Sequence, residues 1–316
     1  MNCSTFSLAI CTYNGEKTLP LAVDAILRQK ENDRLLYELL LIDNASTDNT
    51  KDICLAYEKK DRRVKYLYEA SPGLSNARKC AATHAAGDWV IYIDDDNILD
   101  ENWLFELDRC IKTAPKGVGV LNGAVVAVPA EPLTEEEKMR LRTLYRNLAC
   151  THIESIDSPA SPPTIPFGAG MCIKTEALRT ILNNGWLSLS GRKGTSLASG
   201  EDTELANKCF LQGYSFLYNE KMHMQHLIPQ ARLSRNYADR LIKGLTEGWY
   251  AHLSTKRHYI IARLSRFVKY VGVYLIASIR KNTKKQPAKE LALQNLVRSK
   301  TFLKCVWNDR LFRKNN

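Results

Sequence analysis

The sequence predicts an α/β fold in which a mostly parallel sheet is flanked by helices and followed by a basic helical C-terminal appendage. Apolar runs of strand length alternate with segments of helical periodicity through residues 6–100, the pattern of a parallel sheet with crossover helices. Polar and acidic residues collect just past the end of each run, where ligands bind in such sheets. Charge is split along the chain: from residue 231 onward there are 20 Lys/Arg against 4 Asp/Glu, whereas residues 1–230 hold 25 against 30.

Residues 6–11 read as a buried strand ending at Thr12-Tyr13-Asn14-Gly15, after which Leu19, Leu21, Ala22, Ala25 and Ile26 recur at helical spacing. Residues 36–42 form a second strand that closes on Asp43-Asn44-Ala45-Ser46-Thr47-Asp48, with Ser46 or Thr47 placed to cap a helix running to about Lys59. A third strand covers residues 64–68. An Ala-rich helix over residues 73–86, with Ser75 as its cap, precedes a fourth strand, residues 89–93, that runs into Asp94-Asp95-Asp96.

Past Asp100 the rhythm changes. Residues 118–128 and 167–174 read as strands and 135–149 as a helix, and four prolines make residues 158–166 a loop. The Gly/Ser-rich stretch 188–200 has the composition of a mobile lid, and Glu201-Asp202 opens a helix. Residues 259–278 are apolar but interrupted by Arg263, Arg266 and Lys269, and their longest clean run, residues 270–279, is too short to span a bilayer. A basic amphipathic helix at a membrane surface is expected there; a helix packed on the α/β domain is the alternative.

A chain of 316 residues with 45% hydrophobic content can build one large domain plus an appendage. Low-complexity tracts and internal repeats are missing, which argues against disordered or solenoid classes. The first residues lack the basic start and small-residue cleavage site of a signal peptide. Nine cysteines without a CxxC pair predict reduced, mostly packing thiols in a cytoplasmic compartment and no structural zinc site.

Three consecutive carboxylates after a buried strand repel one another, and burial makes that worse. A divalent cation removes the conflict; hard oxygen ligands suit Mg2+ or Mn2+, and such an ion neutralises a nucleotide diphosphate as it leaves. A solvated acidic loop that merely ends a strand fits the triplet equally well. The neighbouring strand ends favour the ligand site. Tyr13 offers a flat face for a base, Thr12 an oxygen beside it, and Asp43 an acceptor for a base N–H. Arg78 can pair with phosphate or with a carboxylate in the site. Gly73 permits close backbone approach, and Ser75 sits at the same turn.

Residues 6–100 resemble the nucleotide half of glycosyltransferase family 2, a large inverting family with the GT-A (Rossmann-related) fold that includes enzymes of bacterial polysaccharide biosynthesis. The matching pieces are Thr12-Tyr13-Asn14, Ile42-Asp43-Asn44-Ala45-Ser46-Thr47-Asp48-Asn49-Thr50, Gly73-Leu74-Ser75-Asn76-Ala77-Arg78 and Ile93-Asp94-Asp95-Asp96. The resemblance implies that Thr12, Tyr13, Asp43 and Arg78 hold the nucleotide, with Gly73 and Ser75 at its edge. It makes Asp94-x-Asp96 the DxD motif: Asp96 is the metal ligand, Asp95 lies near the ribose or phosphates, and Asp94 belongs with the nucleotide contacts.

The second half of the chain matches at two places. Gly200-Glu201-Asp202-Thr203-Glu204-Leu205 resembles the family's ED motif, so Asp202 is implied as catalytic base and Glu201 as the residue that orients it or binds the acceptor. Inversion at an anomeric carbon does need one carboxylate to take the acceptor hydroxyl's proton, although acidic residues also favour a helix start. His226 resembles the family's late histidine near the metal or diphosphate, with His223 as its competitor. Arg232 and Arg235 either clamp phosphate or, preferably, begin the basic tail. Phe167-Gly168-Ala169-Gly170-Met171 lies where such enzymes present a strand to the acceptor, and Trp186 either stacks on an acceptor ring or belongs to the core.

Together these features predict a metal-dependent inverting glycosyltransferase with Mn2+ or Mg2+, a nucleoside-diphosphate-sugar donor (UDP first) and a glycan or lipid-linked acceptor. The expected catalytic domain spans residues 1–230, divided at residue 100 into nucleotide and acceptor halves. Residues 231–316 form the basic helical region, meeting the cytoplasmic face of a membrane rather than nucleic acid, because its aromatic residues lie among Val, Leu and Ile. A non-catalytic sugar-nucleotide-binding or assembly protein is the rival reading. A dehydrogenase is disfavoured, since no GxGxxG follows the first strand.

Overall fold

A computed structural model gives the fold and describes residues 5–30, 36–153, 163–189, 191–193, 196–197, 199–251 and 286–314. The basic amphipathic segment 259–278 lies outside the described residues, as do residues 190, 194, 195 and 198 of the expected lid and most of the proline-rich loop.

Four strands make the parallel part of the sheet: β1 (Thr5–Thr12), β2 (Leu36–Asp43), β3 (Val64–Tyr68) and β4 (Trp89–Asp94), in the spatial order β3-β2-β1-β4. Their crossovers carry α1 (Leu19–Leu27), α2 (Thr50–Lys60) and α3 (Leu74–His84). Ile10, Leu40, Ile42, Ile91 and Ile93 are fully buried or nearly so, as expected for strands covered on both faces. Ala77, Ala81 and Ala82 let α3 pack closely in one core cluster with Ala9, Leu40 and Val90. Strand order reverses between β1 and β4, and that reversal opens a crevice at the strands' carboxyl ends.

Beyond β4 the pairing turns antiparallel. After β5 (Asn97–Leu99) and α4 (Trp103–Thr113) come β6 (Val118–Pro129), α5 (Glu135–Leu144), the two-residue β7 (His152–Ile153), β8 (Met171–Lys174), α6 (Thr175–Asn183), α7 (Glu201–Leu211) and β9 (Ser215–Ile228). β8 runs antiparallel to β4 and to β6, and β5 runs antiparallel to β9, so the sheet continues as β4-β8-β6-β9-β5. The last helices are α8 (Arg235–Ala251) and α9 (Gln286–Lys314). No described helix is long and apolar enough to cross a membrane.

The chain divides into two compact units. One holds residues 1–128, 149–194 and 201–227, including nearly all of the sheet. The other holds residues 129–148, 195–200 and 228–316 and is built from α5, α8 and α9. Inside this helical unit Arg140 is buried: it donates to the Leu233 carbonyl at 2.5 Å and pairs with Glu136 and with Glu290, the latter at 3.6 Å.

Several local expectations are corrected. Helix α2 starts at Thr50, not after Ser46 or Thr47, because both residues are engaged with Asn14. The Ser46 hydroxyl accepts the Asn14 N–H at 3.0 Å, and the Thr47 N–H donates to Asn14 Oδ1 at 2.8 Å. Ser75 is not the cap of α3. Gly73 holds that position at φ +138°, while the Ser75 hydroxyl and carbonyl take the Trp186 indole N–H. The strand expected from residue 167 begins only at Met171, since Phe167 and Gly168 bond to Asn122 and Asp202 instead of a ladder. α5 gives way to a 3-10 turn over Tyr145–Leu148.

Gly123 in β6 faces β9 so closely that a Cβ there would lie 2.0 Å from the Met222 carbonyl oxygen. Gly123→Ala is expected to lower unfolding free energy by about 1–3 kcal/mol through overpacking against backbone, read as a fall in the urea midpoint at unchanged m-value.

Candidate active site

The carboxyl ends of the parallel strands set the first residues of the site. In register, Thr12 stands beside Asp43, Asp43 beside Tyr68, and Cys11 beside Asp94. Across the reversal between β1 and β4, the Thr12 hydroxyl donates to Asp95 Oδ2 at 2.5 Å. Gly15 closes over this bond: a Cβ there would fall 2.1 Å from Thr12 Oγ1 and 2.5 Å from Asp95 Oδ2. Tyr13 is 46% exposed, leaving a ring face open beside Thr12.

Asp43 is buried, and the turn after β2 is built on it. Its Oδ1 accepts the Ser46 N–H at 2.9 Å, and its Oδ2 accepts the Tyr66 hydroxyl at 3.2 Å. Burial first, and then the Asp43 charge, push the Tyr66 phenol well above its ordinary range. Asn44 ties this turn to the next one. Its amide donates to the Glu69 and Ser71 carbonyls, and its oxygen accepts the Gly73 N–H at 2.7 Å. Gly73 and Asp43 are thus held together by a residue that the motif contains but sequence reasoning did not single out.

The acidic turn joins β4 to β5. Asn97, fully buried, accepts the Asp94 N–H at 3.2 Å and donates to Asp96 Oδ1 at 3.3 Å. Pairing of β5 with β9 sets Asn97 opposite His226, and His226 Nε2 faces Asp96 Oδ2 at 3.4 Å. The other ring nitrogen of His226 lies 3.6 Å from Cys150 Sγ. Burial works to lower the His226 pKa, but Asp96 and then Cys150 outweigh it and lift the imidazole to about 10. His223, the competing histidine, packs its ring on His152 at 5.7 Å between centroids.

The start of α7 supplies the second acidic group. Glu201 is almost fully buried and pairs with Arg78 of α3, whose Nη1 donates to Oε1 at 3.1 Å. Its Oε2 has no hydrogen-bond partner among the described residues. Burial, with Asp202 next to it, raises the Glu201 pKa against the pull of Arg78. Asp202 accepts the Gly168 N–H at 3.1 Å and the Thr203 N–H at 2.7 Å. Burial disfavours the Arg78 charge, while Glu201, Asp94 and Asp202 in that order support it. The acidic turn and the α7 carboxylates therefore meet around one guanidinium.

All twelve residues expected to form the site fall in the sheet-bearing unit. Arg78, expected at the nucleotide, is only 3% exposed and faces Glu201. Trp186 packs on the core and bonds Ser75. Among the described residues no three His, Cys, Asp or Glu side chains converge as a metal cage. Asp96 and His226 facing one another nevertheless fit an ion that keeps most of its positions for water and ligand oxygens, as Mg2+ characteristically does.

A family model described as "Glycosyl transferase family 2" matches residues 7–178. The chain belongs to glycosyl transferase family 2. Among curated relatives, glycosyltransferase GlyG of Streptococcus pneumoniae is 32% identical over 117 residues, 37% of this chain and 38% of that protein. The chain thus spans well under half of the length of GlyG. The fold is GT-A-like: a mannosyltransferase of Pyrobaculum calidifontis, solved with GDP-Man and Mn2+, superposes with a TM-score of 0.58 at 17% identity, over 94% of this chain and 86% of that one. S. aureus TarS in complex with UDP-GlcNAc gives 0.50 at 16% identity, over 93% and 81%.

Removing one member of a buried ion pair leaves an uncompensated charge. Glu201→Ala is accordingly expected to destabilise the protein by about 3–5 kcal/mol, whereas Glu201→Gln keeps a hydrogen-bond acceptor for Arg78 and costs less; equilibrium urea unfolding of the two variants checks the order.

Proposed function

We propose that this chain is a metal-dependent inverting glycosyltransferase that moves a sugar from a nucleoside-diphosphate sugar to a hydroxyl of a glycan or lipid-linked acceptor in surface polysaccharide biosynthesis. The observation that carries this reading is the meeting of two acidic elements, distant in sequence, around Arg78 in one unit. One element suits a nucleotide and its cation, and the other suits proton transfer.

In this reading Thr12, Tyr13, Asp43, Gly73, Ser75, Asp94 and Asp95 form the nucleotide side. Asp43 takes a base N–H and Tyr13 lies against the base. Asp96 and His226 would hold a divalent cation, Mn2+ or Mg2+, whose chemistry when bound is to neutralise the departing diphosphate. Asp202 takes the proton of the acceptor hydroxyl as that oxygen bonds to the anomeric carbon. The bond from that carbon to the diphosphate oxygen breaks on the opposite face, and the electron pair leaves with the nucleotide. The nucleotide sugars held by the structural neighbours, UDP-GlcNAc and GDP-Man, support the donor class; a UDP-sugar is our first choice.

We place the catalytic domain at residues 1–230, with a nucleotide half to residue 100 and an acceptor half beyond it. Residues 231–316 are the basic region, which we assign to the cytoplasmic face of a membrane. Each Lys or Arg near an anionic leaflet contributes about 1 kcal/mol.

Nucleotide release from UDP-, GDP- and dTDP-sugars, measured with and without Mn2+, tests the reading. One donor class should turn over, and only with metal; silence with all of them would favour the non-catalytic alternative. Asp202→Asn is expected to lower kcat by about 10²–10⁴ while leaving nucleotide affinity unchanged. Asp96→Ala should abolish the metal-dependent part of nucleotide binding.

A further inference from the structure

Arg78 lies in a segment that suggests phosphate binding, yet its surroundings are those of an internal strut. An arginine that clamps phosphate presents its fork to the ligand. Here the residue is 3% exposed and one edge of the guanidinium faces Glu201 at 3.1 Å. Another edge lies under Gly168, where a Cβ would come within 2.3 Å of Nη2 and 3.1 Å of Cζ. The Tyr92 hydroxyl donates to the Arg78 carbonyl at 3.2 Å, and the Tyr92 ring lies 5.6 Å from Cζ, so the arginine is held from behind as well.

Gly168 connects this packing to the chemistry. Its N–H donates to Asp202 Oδ2 at 3.1 Å. The same peptide therefore rests on Arg78 and aims the carboxylate that the proposed mechanism uses. Glu201 and Asp202 are consecutive at the start of α7. Fixing one of them through Arg78 and the other through Gly168 leaves the helix start little freedom to turn.

We propose that Arg78 is a positioning residue for the base: it fixes Glu201 and supports the Gly168 peptide that holds the Asp202 carboxylate. This rests on the assignment of Asp202 above and assigns Arg78 to the proton-transfer side of the site instead of the phosphate side. It also explains why residue 168 is glycine: any side chain there would displace the guanidinium.

The test uses the full chain with Arg78→Gln and Arg78→Lys. Backbone hydrogen exchange of the segment containing Gly168 should accelerate about tenfold or more in Arg78→Gln, with β1–β3 unchanged. The dissociation constants of UDP and GDP, each with Mn2+, should stay within about threefold of the parent. With the donor found by the release screen, kcat should fall about thirtyfold at nearly constant donor KM, and Arg78→Lys should recover a large part of it. Weakening of UDP or GDP binding by about tenfold, with exchange at Gly168 unaltered, would make Arg78 a phosphate ligand and overturn the proposal. If Arg78→Gln fails to fold by circular dichroism, Glu201→Gln is read in its place for the same exchange and kcat effects, and unchanged values there overturn it too. A parent chain that binds neither UDP nor GDP would sink the functional reading, while the exchange at Gly168 would still decide whether the strut exists.

Discussion

Five carboxylates, Asp94, Asp95, Asp96, Glu201 and Asp202, are carried to one end of a single sheet by strands and a helix far apart in sequence. Like charges brought together out of water disfavour one another strongly, and the local structure answers that repulsion group by group. Asp95 accepts from Thr12, Asp96 from Asn97 while facing His226, Glu201 from Arg78, and Asp202 from the Gly168 peptide. All five partners are buried, and Thr12, Asn97 and His226 are fixed by strand pairing. The concentrated charge is thus a property of the fold, and the rest of the site depends on its being tolerated.

Topology explains how the partners arrive. The reversal of strand order between β1 and β4 leaves their carboxyl ends side by side, and the Thr12–Asp95 bond spans that gap. Antiparallel pairing of the short β5 with the long β9 then brings residue 226 opposite residue 97, one position beyond the acidic turn. The buried second half of this 14-residue strand, paired with β5 at Met224, Gln225 and His226, is a stiff way to present an imidazole. Close approach of β9 to β6 at Gly123 fixes the spacing of these two neighbouring strands.

Much of this was legible in the sequence because β1 to β4 are uninterrupted apolar runs of strand length, each stopped by polar residues. Such runs need no partner to be recognised, and their ends fall where Thr12, Asp43 and Asp94 stand. β5 is three residues long, so periodicity has nothing to act on. β9 did carry a signal that was not used: Met222, Met224, His226 and Ile228 are its buried positions and alternate with less buried ones, the period of a half-buried strand. Ser46, Thr47 and Ser75 misled because a hydroxyl near a helix start looks like a cap. Whether it caps is decided by Asn14 and Trp186, dozens of residues away. For Arg78 the sequence left two partners open, a phosphate or a carboxylate in the site, and only the approach of Gly168 and Glu201, 90 and 123 positions later, shows the carboxylate it touches.

The same electrostatics constrain the ligand. On the proposed reading a nucleoside diphosphate, itself an anion, would enter a site where Arg78, His226 and Arg192 act on a cluster of five carboxylates. The five carboxylates outnumber these three cationic side chains. Direct attraction to the protein would therefore be weak, since the Arg78 guanidinium is already engaged with Glu201. A divalent ion held by Asp96 and His226, the imidazole giving up its proton to become a ligand, would offset part of that negative charge before any bond breaks. In the proposed reading the metal would be first a condition for donor binding and only second an aid to the leaving group, so that its removal should be felt in nucleotide affinity as strongly as in turnover.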